Sequence, residues 1–306
     1  MIRLKADLSL LLAAFIWGTA FVAQKTAVAT IGPLLFLACR FLISAVLLAP
    51  LALRESRRRA DPLTGSDWKL ALAVGLSLFG GMAIQQIGIV STTTTNAGFL
   101  TAIYVVMVPV VAWVLLRKRP TWVVVASCSV SLIGAWLLEQ GGESSSWGFG
   151  DGLVLFSDIF QAVQIILVER FLARHSRPLL LSFVQYAVIT VLAFAAAFTF
   201  ERIDLAGIWA VMPSILYAGV LSGGIAFTLQ IVAQRHTPAA EAAIIMSLES
   251  VFAALSGAWL LGDRLGPTGL FGCAMILAGV LLVQLMPLLR RNQLEPEAAP
   301  PQDAAK

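Results

Sequence analysis

Four ionisable side chains stand inside long apolar stretches of this 306-residue chain: Glu249, Asp158, Arg40 and Lys25. A charge in such a setting is costly and usually faces a cavity or a partner. Arg40 has the chemistry to attract a carboxylate. Glu249 has the chemistry to face an ammonium or to carry a proton, and Asp158 shares the second capacity. The alternative is structural, with these groups pairing with one another or with backbone groups and locking helices together. Lys25 lies near the end of its stretch, where a long side chain can snorkel outward.

Neutral polar groups form a second set: Gln85, Gln86, Asn96, Gln161, Gln164, Gln185 and Gln230. Asp158, Gln161 and Gln164 recur every three residues, so on a helix they share one face. A polar stripe through an apolar helix predicts a wet cavity suited to zwitterions; interhelical hydrogen bonding is the alternative. Trp17 and Tyr104 have the size and polar edges to wall such a cavity, or simply to pack. Gly80-Gly81 and Gly223-Gly224 interrupt two apolar runs at related places and are either hinges or close-packing sites.

Enzyme chemistry finds little support. Gly148-Phe149-Gly150-Asp151 matches the G-x-G-D of intramembrane aspartyl proteases, but that chemistry needs a second aspartate, and residues 121–139 hold none. Asp151 reads instead as a first-turn acid. No phosphate-binding G-x-x-x-x-G-K-[ST] loop is present. His175 and His236 fall in polar connections, and Cys39, Cys128 and Cys273 have no metal-ligand spacing. The expectation is a non-enzyme without cofactor or metal.

The composition sets the frame. Hydrophobic residues make up 59% and charged residues 12% of the chain, and the mean hydropathy is +0.88. A soluble protein carries about 25% charged residues. The chain therefore reads as an all-α integral membrane protein. Ten apolar runs, at 8–28, 33–53, 68–90, 93–116, 121–139, 152–173, 179–200, 211–234, 238–261 and 267–288, predict ten transmembrane helices. The first run is read as a retained helix rather than a cleaved leader. With the N-terminus placed in the cytoplasm, 17 of the 21 lysines and arginines fall on the cytoplasmic side. This predicts cytoplasmic termini. Clusters such as Arg57-Arg58-Arg59 then face lipid headgroups rather than nucleic acid.

Sliding the chain by 145 residues aligns its halves without a gap. Identical pairs include Ser77/Ser222, Gln85/Gln230, Thr92/Thr237, Ala97/Ala242, Arg119/Arg264 and Gly134/Gly279. Five helices per repeat is an odd number, so the second repeat enters the membrane from the opposite side. The predicted domains are residues 1–145, an inverted second repeat at 146–290, and a disordered cytoplasmic tail at 291–306. Two inverted-topology five-helix repeats are typical of secondary transporters, with the binding site between the halves near the midplane. Ser127/Ser131 and Ala274/Ala278 are small residues four apart that suit helix contacts.

Several segments carry a family resemblance: Phe15-Ile16-Trp17-Gly18-Thr19, Arg40-Phe41-Leu42, Thr237-Pro238-Ala239-Ala240, Met246 to Phe252, and Trp259 to Leu265. Together they resemble the drug/metabolite transporter superfamily, in its ten-helix EamA branch. Ser250 and Asp158 depart from the usual pattern. The resemblance implies a bacterial inner-membrane transporter, monomeric or weakly dimeric, that moves a small molecule by alternating access. YddG-type amino-acid exporters are the nearest functional analogy. It implies export of amino acids or related metabolites; other metabolites, cationic drugs, or a non-transporting scaffold or receptor are the alternatives. The candidate pathway residues are Trp17, Arg40, Gln85, Gln86, Asn96, Tyr104, Asp158, Gln161, Gln164, Gln230 and Glu249.

Overall fold

The structure is a computed structural model that describes residues 2–58, 62–92, 94–117, 119–140, 148–260 and 266–294. Side chains are described for all of these except 2, 94–96, 139, 260 and 286–294. Asn96, Arg264 and the tail beyond Leu294 thus lie outside the described parts. Among the described residues every element is helical. The helices are α1 (Ile2–Val28), α2 (Pro33–Arg58), α3 (Gly65–Ser91), α4 (Thr94–Thr101), α5 (Tyr104–Leu116), α6 (Trp122–Gln140), α7 (Phe149–Leu172) and α8 (Pro178–Phe200). They continue with α9 (Leu205–Ala210), α10 (Met212–Leu216), a π-helical stretch Tyr217–Ala226, α11 (Phe227–Ala233), α12 (Ala239–Met246), α13 (Leu248–Leu260) and α14 (Pro267–Leu294).

Nine spans are long and apolar enough to cross a membrane among the described residues, and Trp122–Leu138 of α6 is a shorter apolar helix. The 19 residues of α6 rise about 28 Å at 1.5 Å each, close to the hydrocarbon thickness. Several helices outrun their apolar runs. α1 takes in Arg3 and Lys5, α2 runs on through Arg57, and α14 reaches Leu294, past the predicted tail boundary. Charged ends need not end a helix once they reach the headgroup layer. α3 starts at a capping box, with Thr64 N donating to Asp67 Oδ2 at 2.9 Å. Asp151 plays the same part at the start of α7, accepting from Gly148 N at 2.7 Å.

The fourth and ninth spans are each interrupted, at Ala102-Ile103 and at Ser247. Ala102 and Ser247 stand 145 residues apart. Around both, the backbone tightens to three-residue spacing: Val105 N donates to Ala102 O at 3.2 Å and Ser250 N to Ser247 O at 3.2 Å. Each tightening takes a donor from the carbonyl one residue earlier, Thr101 and Met246. The eighth span is π-helical in its middle.

The glycine pairs divide. Gly80 and Gly81 lie inside the unbroken α3, where added methyls would meet Phe160 and Gln161 of α7. They admit a neighbouring helix, and the flexure point in this half is two residues without glycine. Gly223 and Gly224 do lie in the π-helical stretch, with Ser44 and Leu47 of α2 against them.

The halves are joined by pairs of repeat-related helices. Glu201, at the end of α8, accepts from Leu34 N and Leu35 N at the start of α2, both at 2.8 Å. At the other end of the pair, Glu55 of α2 accepts from Leu180 N at the start of α8, at 2.8 Å. Each helix therefore caps the other's exposed N–H groups, and the two run antiparallel. α6 and α14 also run antiparallel. Gly272 approaches Leu138, Gly134 approaches Ile276, and Gly279 approaches Ser127 and Ser131. Ala274 and Ala278 are exposed, which corrects the predicted contact face. The α6 side of that contact is the serine face, and on α14 it is the glycine face one helical step away.

Replacing Glu201 with alanine removes both caps from α2 at once. A loss of about 1–2 kcal/mol is expected, read as a lower thermal midpoint in detergent, with Glu55→Ala behaving alike from the opposite end.

Candidate functional site

Inside the bundle is a cavity lined by residues from both halves of the chain. Its wall draws equally on the two halves of the chain. Met82/Phe227, Gln85/Gln230, Thr101/Met246 and Tyr104/Glu249 all line it, and the members of each pair stand 145 residues apart. The helix interruptions bring the last two pairs there: Thr101 and Met246 end α4 and α12, while Tyr104 and Glu249 lie in the first turns of α5 and α13. Gly18 lets α1 approach the Glu249 carbonyl and Phe252 closely, and so holds Trp17 against the wall.

Arg40 is the cation of the site. It is 1% exposed, held by Nη1 donating to Gln24 Oε1 at 2.8 Å and by the Phe41 ring, 4.9 Å from the guanidinium carbon. Its Nε has no partner. Among the described residues no carboxylate lies within ion-pair distance of it. Glu249 is the acid of the site, 4% exposed, and its Oε1 is without a hydrogen-bond partner. The two charges therefore do not neutralise each other. Both are left available on one small, largely apolar cavity, where desolvation strengthens any charge they meet.

Amides supply the neutral polar surface. Gln185, Gln164, Gln230 and Gln234 form a chain in which Gln164 Nε2 donates to Gln185 Oε1 at 3.1 Å and Gln230 Nε2 donates to Gln164 Oε1 and Gln234 Oε1, each at 3.3 Å. Gln85 Nε2 donates to Thr101 Oγ1 at 3.0 Å. The apolar wall is aromatic. Trp17 packs against Phe227 with ring centroids 4.7 Å apart and the planes tilted by 58°, and donates its Nε1 to Ser222 O at 3.2 Å.

Eight of the eleven pathway candidates line the cavity: Trp17, Arg40, Gln85, Tyr104, Gln161, Gln164, Gln230 and Glu249. Gln86 and Asp158 are buried but lie off the lining, which corrects their assignment to the wall. The rotation of α3 and α7 against each other presents Gln85 and Gln161 to the cavity instead. Asn96 is among the side chains not described. Lys25 has a structural role: its Nζ donates to Ile89 O and Thr92 O, both at 2.7 Å, capping α3. Phe21, Gln24, Met82, Thr101, Ile165, Ser222, Phe227 and Met246 also line the cavity. Gln24 was visible as a glutamine in an apolar run. The others differ in no sequence property from lipid-facing or packed neighbours.

Two polar clusters lie at the ends of the repeat-related helices α3 and α11. Thr92, after α3, donates to Asp151 Oδ1 of α7 at 3.0 Å. Thr237, after α11, donates to Asp7 Oδ1 of α1 at 2.9 Å, beside the Arg3–Glu241 ion pair.

The EamA-like transporter family model matches residues 4–139 and again residues 148–285, so the two halves each carry it. The chain is 32% identical over 284 residues to an uncharacterized transporter of Archaeoglobus fulgidus, covering 92% of this chain and 87% of the relative. It is 26% identical over 294 residues to a probable terminal-alkyne amino-acid exporter of Streptantibioticus cattleyicolor, covering 94% and 96%. It is 29% identical over 250 residues to the threonine/homoserine exporter RhtA of Salmonella typhimurium, covering 80% and 78%. A solved crystal structure superposes with a TM-score of 0.76 over 95% of this chain and 98% of its own, at 17% identity, which shows the shared fold.

Proposed function

The chain belongs to the EamA-like transporter family, and from that premise we propose that it exports amino acids or closely related zwitterions from the bacterial cytoplasm by alternating access. The observation that carries this reading is the pair of opposite charges, Arg40 and Glu249, that line one cavity with no ion-pair partner among the described residues. A zwitterion satisfies both at once. Its carboxylate meets the guanidinium of Arg40, and its ammonium meets Glu249 and the carbonyls of Thr101 and Met246, which the local tightening frees from helical bonding. The substrate side chain lies against Trp17 and Phe227. The names of the Streptantibioticus and Salmonella relatives, both amino-acid exporters, support the same class.

Transport follows from two inverted five-helix repeats. The antiparallel, mutually capped α2 and α8 support the inversion, as does the equal share of the halves in the cavity. The Thr92–Asp151 and Thr237–Asp7 clusters open in turn, the latter on the cytoplasmic side if both termini lie there as the lysine and arginine bias predicts. The protein works in the inner membrane as a monomer or weak homodimer. A cationic drug would use Glu249 and the aromatic wall but leave Arg40 unanswered, so the zwitterion is favoured.

Counterflow in proteoliposomes tests the reading. Vesicles loaded with one unlabelled amino acid from a panel of twenty should accumulate the same labelled amino acid faster than protein-free vesicles. A folded protein that shows counterflow with none of the twenty overturns the substrate assignment.

A further inference from the structure

Among the described residues, four side chains that line the cavity carry a buried polar atom without a hydrogen-bond partner: Arg40 Nε, Tyr104 Oη, Gln230 Oε1 and Glu249 Oε1. Arg40 and Glu249 answer the two charges of a zwitterion. The Tyr104 hydroxyl rotates and either donates or accepts, so it serves whichever end lies beside it. Gln230 Oε1 only accepts. A buried acceptor left unpaired is costly, and this one is held in place.

The hold comes from the direction of the glutamine relay. The main-chain carbonyl of Ile165 can only accept, so Gln234 turns its Nε2 to it, at 3.1 Å. Gln234 Oε1 then faces Gln230 and accepts from its Nε2 at 3.3 Å. The second hydrogen of Gln230 Nε2 goes to Gln164 Oε1, also at 3.3 Å. Gln164 Nε2 donates onward to Gln185 Oε1 at 3.1 Å. Both hydrogens of the Gln230 amide are thus used inside the relay, and its oxygen is left over. Reversing the relay would give Gln230 Oε1 a donor from Gln164, and would also engage Gln185 Nε2, which has no partner. The Gln234–Ile165 bond blocks that reversal.

Phe227 and Gln230 stand three residues apart on α11 and both line the cavity, so they share one helical face. A substrate side chain lying on Trp17 and Phe227 therefore has Gln230 beside it. The geometry points to Gln230 as the residue that selects the substrate side chain, in favour of an uncharged one with an O–H or N–H donor, a hydroxyl or a carboxamide. The inference rests on the reading of Arg40 and Glu249 as the sites of the zwitterion. An apolar isostere fills the same space but leaves Gln230 Oε1 buried and unpaired, and a site built to bond a donor rejects an analogue that lacks it. A cationic side chain finds no second carboxylate among the described lining residues.

The test compares isosteric pairs in counterflow with the full chain in proteoliposomes: threonine with valine, serine with 2-aminobutyrate, asparagine with leucine. In at least one pair the donor-bearing member should half-saturate the wild type at a concentration about 10- to 100-fold lower. Gln230→Met keeps the length and removes the acceptor, so the favoured member should weaken, its apolar isostere should improve, and the preference should vanish. Gln234→Met frees the Gln230 amide to turn over and should lower the preference too, although Gln234 does not line the cavity. Equal handling within every pair by the wild type overturns the inference and leaves the zwitterion reading standing. A preference that survives in folded Gln230→Met overturns it. So does an equal loss of both members, which would assign Gln230 to the common part of the substrate or to the scaffold. If Gln230→Met fails to fold, Gln234→Met decides in the same terms, and if both fail, the wild-type ratios decide. Absence of counterflow with every amino acid in the wild type overturns the substrate reading, and this inference with it.

Discussion

Glu249→Gln should abolish measurable counterflow while leaving the protein at least as stable as the wild type. The amide is nearly isosteric, so the wall around Tyr104, Met246 and Thr101 keeps its shape. What goes is the one carboxylate among the described residues that line the cavity. Truncating one partner of a desolvated, hydrogen-bonded charge pair costs about 2–5 kcal/mol, which corresponds to a transport loss of about 30-fold to a few thousand-fold. The same carboxylate has an unpartnered oxygen and, among the described residues, no ion-pair partner, so its removal relieves a cost. The two effects have opposite signs. A thermal midpoint that holds or rises while counterflow disappears would fit a binding role. A midpoint that falls together with activity would mark Glu249 as a structural lock instead.

Arg40→Gln separates the two ends of the substrate. The guanidinium is already positioned by Gln24 and the Phe41 ring, so little ordering entropy is lost when a carboxylate arrives, and a planar fork matches that group. Its loss should raise the half-saturating concentration of a transported amino acid about 30- to 150-fold, in line with about 2–3 kcal/mol for a charge-assisted contact. The decarboxylated amine of the same amino acid should be handled no worse by the variant than by the wild type. Equal losses for the amino acid and the amine would place Arg40 in the scaffold. Arg40→Lys should recover only part of the affinity, since a point charge on a flexible stem replaces the fork.

The membrane class, the approximate position of the spans and the 145-residue register were all legible in the amino-acid sequence. Each depends on short-range or literal properties: hydropathy summed over about 20 residues, and identities such as Gln85/Gln230 that persist whatever the packing. The polar residues of the cavity were legible for a related reason. A glutamine, arginine or glutamate in an apolar run must face inward, so Arg40, Gln85, Gln161, Gln164, Gln230 and Glu249 could be singled out before any helix was placed.

Which inward face meets the cavity was decided only by the tertiary structure. Gln85 and Gln86 are neighbours in sequence and both buried, but α3 turns only Gln85 to the cavity. Asp158 shares a helical face with Gln161 but lies off the cavity lining, on a helix that packs closely against Gly80, Gly81 and Gly88 of α3. The tightened turns at Ala102 and Ser247 carry no glycine or proline of their own, and Gly80 and Gly81 lie at a close approach of α7 within the unbroken α3. The reciprocal caps of Glu55 and Glu201 bridge more than a hundred residues. Such features depend on how one helix is rotated and shifted against another. That choice is made by side chains distant along the chain, and a local pattern cannot encode it.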